Sequence, residues 1–82
     1  MPERFSKLIK RLRNISLNNK KFKLVKTFKD IIDLPVSEVS SLSGVGVGYI
    51  ETLQEMKHLL KIDPASILDT NYSVNSSIDV EI

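Results

Sequence analysis

The sequence predicts an all-α domain of four or five short helices, and three observations carry that expectation. Apolar residues recur at helical spacing in two places, as Phe5, Leu8, Ile9, Leu12 and Ile15 and again as Ile50, Leu53, Met56 and Leu60. Helix start signals stand at Thr27 with Asp30, at Ser37, and at Asp63 with Pro64. The three glycines, Gly44, Gly46 and Gly48, are confined to one loop between two of these helices.

Taken in order, Glu3 to Ile15 reads as an amphipathic basic helix, because Arg4, Lys7, Lys10, Arg11 and Arg13 fall between its apolar positions. Pro2 suits the first turn, and Asn18 and Asn19 end it. Lys20 to Lys26 interleaves Phe22, Leu24 and Val25 with cations and fits either a short extended piece or a helical turn. Thr27 caps a short helix from Phe28 to Asp33, with Asp30 placed as in a capping box and Pro35 as the stop. Ser37 caps a further short helix, Glu38 to Leu42, which turns Val39 and Leu42 inward.

The strongest helix follows the glycines, from Gly48 or Tyr49 to Lys61, with Ile50, Leu53, Met56 or Lys57, and Leu60 on one stripe. Asp63 followed by Pro64 is a cap plus a proline in the first turn, so Pro64 to Leu68 is expected to be one more short helix. Residues 1–69 then form a single domain, built from helix 3–15, a hairpin module over 27–61 and helix 64–68. Residues 70–82 are rich in Ser and Asn with alternating Val74, Ile78, Val80 and Ile82, which reads as a flexible tail or as a strand that needs a partner. No internal repeat is visible.

A chain of 82 residues makes one small domain whose core is close to marginal, so homo-oligomerisation or a partner surface would help it. It contains no cysteine, which removes disulfides, thiolate catalysis and cysteine-ligated zinc. The basic N-terminus is not followed by an apolar run of signal-peptide length, and nothing approaches the roughly 20 apolar residues of a membrane span. The expected address is therefore cytoplasmic. The net charge of +2 conceals a dipole: Met1 to Asp33 carries ten cations against three carboxylates, and Leu34 to Ile82 carries two against seven. The basic end, net +7, suits a phosphate backbone, an anionic membrane surface or an acidic protein patch.

Little points to catalysis. His58 is the one histidine, with no second histidine and no cysteine beside it to build a metal site. Glu51 and Glu55 sit at helical spacing as a solvent-facing row rather than an acid-base pair. No nucleophile has a base, and no phosphate-loop lysine is present, so the chain is expected to be no enzyme and to need no cofactor. Asn71 and Asn75 head glycosylation-like triplets that mean nothing without a secretory signal.

The segment Val39 to Leu53, "VSSLSGVGVGYIETL", resembles the helix-hairpin-helix motif, with Leu42, Gly44, Val45, Gly46 and Leu53 on its pattern. Ser43 replaces the common proline, and Ile50 stands where a small residue is usual. The resemblance runs upstream: Val25 to Met56, about two fifths of the chain, is similar to the C-terminal domain of the bacterial RNA polymerase alpha subunit. Asp30, Ile31 and Ile32 take the place of that family's "DLL"-like helix start, Ser37 and Glu38 begin the next helix, and Gly46 takes the hairpin glycine. Those domains bind the DNA backbone with hairpin amides and cations just after the glycine. Val47, Gly48 and Tyr49 stand there instead, and Lys20, Lys21 and Lys23 only approximate the family's DNA-facing arginine. In size and in its Ile, Asn and Lys enrichment the whole chain also resembles the small early and regulatory proteins of large DNA phages, cytoplasmic lysis-inhibition accessory proteins among them.

Two partner classes follow. In the first, a protein partner meets the hairpin Gly44, Val45, Gly46, Val47, Gly48 and Tyr49 and the basic surface of Arg4, Lys7, Lys10, Arg11, Arg13, Lys20, Lys21, Lys23 and Lys26. In the second, hairpin amides with Lys20, Lys21, Lys23 and Lys26 bind duplex DNA without sequence preference. The first is preferred, because the hairpin lacks cations and the acidic part of the chain repels a duplex. Contact of the basic N-terminal helix with a membrane surface is a third use of the same cations. The loop itself has a purely steric explanation too, a tight turn needing positive φ, and Tyr49 is either a core residue or a stacking surface for the partner.

Overall fold

The structure is a computed structural model and describes residues 1–78. Four α-helices and one 3-10 turn are present among them: α1 Glu3–Asn18, α2 Phe28–Asp33, α3 Val36–Ser40, α4 Val47–Ile62, then Pro64–Ser66 in 3-10 form. No helix among the described residues is long and apolar enough to cross a membrane.

The core forms where the predicted stripes meet. Phe5, Leu8, Ile9 and Leu12 of α1 are buried against Leu53, Met56 and Leu60 of α4, with Val25, Phe28, Ile31, Leu34 and Val39 closing the sides. α4 lies at the centre and packs on α1, α2, α3 and the 3-10 turn. The molecule measures 35 × 23 × 22 Å.

α1 runs three residues beyond the expected Ile15, because the returning chain holds its last turn. Ser16 is buried, donates to the Arg13 carbonyl at 2.9 Å and accepts from the Val25 amide at 3.4 Å. The open segment 20–26 is a turn closed by the Phe22 amide on the Asn19 carbonyl at 3.1 Å, followed by irregular chain. α2 has the capping box read from the sequence: the Asp30 amide donates to Thr27 Oγ1 at 3.2 Å, and the Thr27 amide donates to Asp30 Oδ2 at 2.9 Å. Burial would raise the Asp30 pKa, but the Lys26 and Thr27 amides, the Thr27 hydroxyl and nearby Lys23 outweigh it and hold the carboxyl below its ordinary value.

α3 differs from expectation. It starts at Val36 rather than Glu38, with Pro35 at its cap instead of Ser37, and Leu42 falls in the following turn. The Pro35 ring fixes φ at −69°, and its carbonyl takes the Glu38 and Val39 amides. A proline read as the stop of α2 thus also opens α3. α4 begins one residue early, at Val47, with Gly46 as its cap. The last expected helix is only a 3-10 turn, in which Asp63 makes no side-chain cap and Ser66 donates back to the Asp63 carbonyl at 2.8 Å.

Lys57 is the fold's main polar contact between helices. Its Nζ donates to the Ile31 carbonyl at 3.0 Å, to that of Ile32 at 2.6 Å, and to that of Leu34, capping the C-terminus of α2. Burial and nearby Lys61 hold its ammonium below the ordinary lysine pKa, with Asp33 opposing them.

Residues 70–78 form no helix or ladder. Their ties to the domain are an antiparallel bridge between Thr27 and Ser77, the Ile78 amide on the Lys26 carbonyl at 2.7 Å, and the Lys29 amide on the Val74 carbonyl at 2.6 Å. Ile78 is buried, and Tyr72 meets Phe28 edge to face. The rest of the tail read from the sequence, residues 79–82, lies outside the described residues.

Candidate functional site

The hairpin between α3 and α4 occupies residues 41–46. Gly44 has φ +85°, the left-handed region that an L side chain enters only at a cost, and the Val45 amide closes the turn on the Leu42 carbonyl at 3.4 Å. Gly46 and Gly48 are different: neither has positive φ, and a Cβ added at either meets nothing within 4 Å. Only the first of the three glycines is required by the turn. Between the other two stands Val47, 76% exposed.

α1 lies beside this loop, and one contact locks them together. Arg11 Nη2 donates to the Gly44 carbonyl at 2.6 Å, and the same guanidinium lies 5.0 Å from the centroid of the Tyr49 ring. Tyr49 is half-buried and packs against the core, so it does not stand clear as a stacking surface. Its hydroxyl is buried and makes no hydrogen bond among the described residues. That burial pushes its pKa up to about 12, with Arg11 pulling slightly the other way.

Arg4, Lys7, Leu8 and Arg11 of α1 face Gly48, Tyr49 and Thr52 of α4 across an open cleft of about 330 Å³. Arg4 pairs with Glu55 on α4 and lies over the Phe5 ring, and Lys7 pairs with Glu3 at 3.5 Å. The first turn of α4 carries no carboxylate.

The remaining predicted cations do not join this group. Arg13 and Lys26 border a separate groove with Leu17, Leu24 and Ile78, and Lys21 borders a third hollow with Phe22, Glu38 and Leu42. Lys10, Lys20 and Lys23 are exposed. Sequence reading treated the cations as one surface, whereas spacing already separates them: 4, 7 and 11 share a helical stripe and 13 does not. Leu8 and Thr52 as cleft walls carry no signal in the sequence; Glu51 and Glu55 are both exposed, as their spacing predicts, and Glu55 in addition pairs with Arg4 of α1. His58 is exposed, and no three His, Asp or Glu side chains among the described residues are grouped to hold a metal ion.

The site therefore offers an exposed valine between Gly46 and Gly48 beside a cation-lined cleft. Comparison of the chain with protein-family models, with curated proteins and with solved structures gives no significant match, so its functional reading stands on this geometry.

Proposed function

We propose that the chain is a small non-enzymatic regulator or adapter that binds another protein through the glycine hairpin and the adjacent face of α1. A regulator of the phage type, for example one that inhibits lysis from the cytoplasm through a membrane-protein partner, fits this reading.

One observation carries it. Gly46 and Gly48 flank an exposed valine, and neither has positive φ; Gly46 serves as the cap of α4, a place glycine suits, whereas Gly48 stands in the first turn of the helix, where alanine would be the better helix former. Bare backbone around one apolar side chain lets a partner approach closely, and Arg4, Lys7 and Arg11 stand beside it. The apolar stripe of α1 is committed to the core, so what α1 offers a partner or a membrane is its charge.

Nonspecific DNA binding asks for a continuous basic surface. Arg4, Lys7 and Arg11 line one cleft, Arg13 and Lys26 a second and Lys21 a third, and Val47 stands where the resemblance would put a cation.

Affinity capture from the native host, run beside a DNA shift assay, tests the reading. Capture of a defined protein that Val47→Glu abolishes, with helicity retained, is the expected result. A DNA shift that weakens steeply with salt and flattens on Lys20→Ala with Lys21→Ala would overturn it. For the lysis reading, deletion should alter lysis timing while transcription of other genes is unchanged.

A further inference from the structure

We propose that the cleft between α1 and α4 docks an acidic segment of the protein partner, and that Glu55 is the chain's own competitor for that position. The inference rests on the protein-binding reading above and adds the chemistry of the partner.

Arg4, Lys7 and Arg11 follow i, i+3, i+7 spacing and so line one stripe of α1, about 10 Å long at the helical rise. Their charges are not equivalent. Arg11 is pinned by the Gly44 carbonyl and the Tyr49 ring, which fixes a positive charge at the hairpin end. Arg4 and Lys7 are held only by carboxylates: Glu55 on the first, Glu3 on the second. Lys7 and Glu3 are largely in water and Arg4 and Glu55 about half so, and an ion pair this exposed contributes little and exchanges readily.

An incoming carboxylate can therefore replace Glu55 on Arg4 or Glu3 on Lys7 with little net loss of pairing. The half-buried Tyr49 ring, which lines the same cleft, leaves a small apolar edge for a neighbouring side chain of the segment. A stripe this short, carrying Glu3 and Glu55 near Arg4, suits one or two carboxylates rather than a continuous run of phosphates. Glu55 acts as an internal stand-in: it keeps Arg4 occupied in the free protein and lowers affinity for every acidic segment that must displace it.

The test titrates the full isotope-labelled chain with an acetylated, amidated Glu-Glu-Leu-Glu-Glu peptide, followed by amide chemical shifts. Saturable shifts at Lys7, Arg11, Gly48, Tyr49 and Thr52, absent with the all-glutamine analogue and weakened by Lys7→Gln, are expected. Glu55→Gln should tighten binding about two- to fivefold, the range of one exposed ion pair. Shifts spread over Lys20 to Lys26, no shift at the cleft, or equal affinity of Glu55→Gln and the parent would overturn the proposal. If the peptide fails while the host protein is still captured and lost on Val47→Glu, the acidic-segment inference falls and the protein-binding reading stands. If capture fails as well, both fall.

Discussion

At the scale of single residues, Gly44 and Gly48 should respond oppositely to the same change. A Cβ at Gly44 meets no neighbour but is strained by φ +85°, so Gly44→Ala should lower stability by about 1 kcal/mol through the backbone alone. Gly48 is in the first turn of α4 with open space around it, so Gly48→Ala should raise stability by about 0.5 kcal/mol, less than in a helix interior. Denaturant midpoints of the two variants check the pair. Tyr49 gives a prediction in pH. Its pKa is raised to about 12 in the fold from an ordinary 10.0, so the folded state favours the protonated phenol. The stability this contributes is full below pH 10 and is lost as pH rises through 12. Subtracting the denaturation profile of Tyr49→Phe from that of the parent isolates this loss from the titration of the lysines. A flat difference between pH 10 and 12 would contradict the burial of the hydroxyl.

At the scale of elements, Lys57 holds α2 to α4. Three carbonyls at the end of α2 converge on its ammonium, so Lys57→Met should cost about 2 kcal/mol, the loss of charge-assisted hydrogen bonds offset by easier burial. Hydrogen exchange should then speed up in α2 before α1. The sequence placed Lys57 as a rival of Met56 for the buried stripe, and both readings contain part of the truth. Met56 is fully buried, while Lys57 lies at the edge of the same stripe with its charge spent on a neighbouring helix. No local pattern announces such a cap, because its acceptors are 23 to 26 residues away. Signals contained within a few residues were legible: the Thr27 and Asp30 capping box, the apolar stripes of α1 and α4, the glycine hairpin. Element ends set by tertiary contact were not. Ser16 and Val25 extend α1 across a turn, and Pro35 opens α3 where Ser37 had the better local chemistry.

For the whole molecule, the charge dipole read from the sequence resolves into something more local. Ten cations precede Leu34, yet among the described residues the fold lines the cleft between α1 and α4 with three of them, Arg4, Lys7 and Arg11, the last touching the hairpin at Gly44. The composition disclosed the basic end, and the helical spacing of 4, 7 and 11 disclosed the stripe. That the stripe faces the start of α4 depends on contacts between residues 33 apart at Arg11 and Gly44 and 51 apart at Arg4 and Glu55, which no short-range signal encodes. The central claim is that this face, hairpin plus α1, meets a protein. It is tested most directly by placing a photo-crosslinking phenylalanine at Val47 in native cells, with Ile62, 64% exposed at the far end of α4, as the control position. A discrete protein adduct at Val47, absent at Ile62, is the predicted result. Adducts to DNA at Val47, or the same adducts from both positions, would contradict the account.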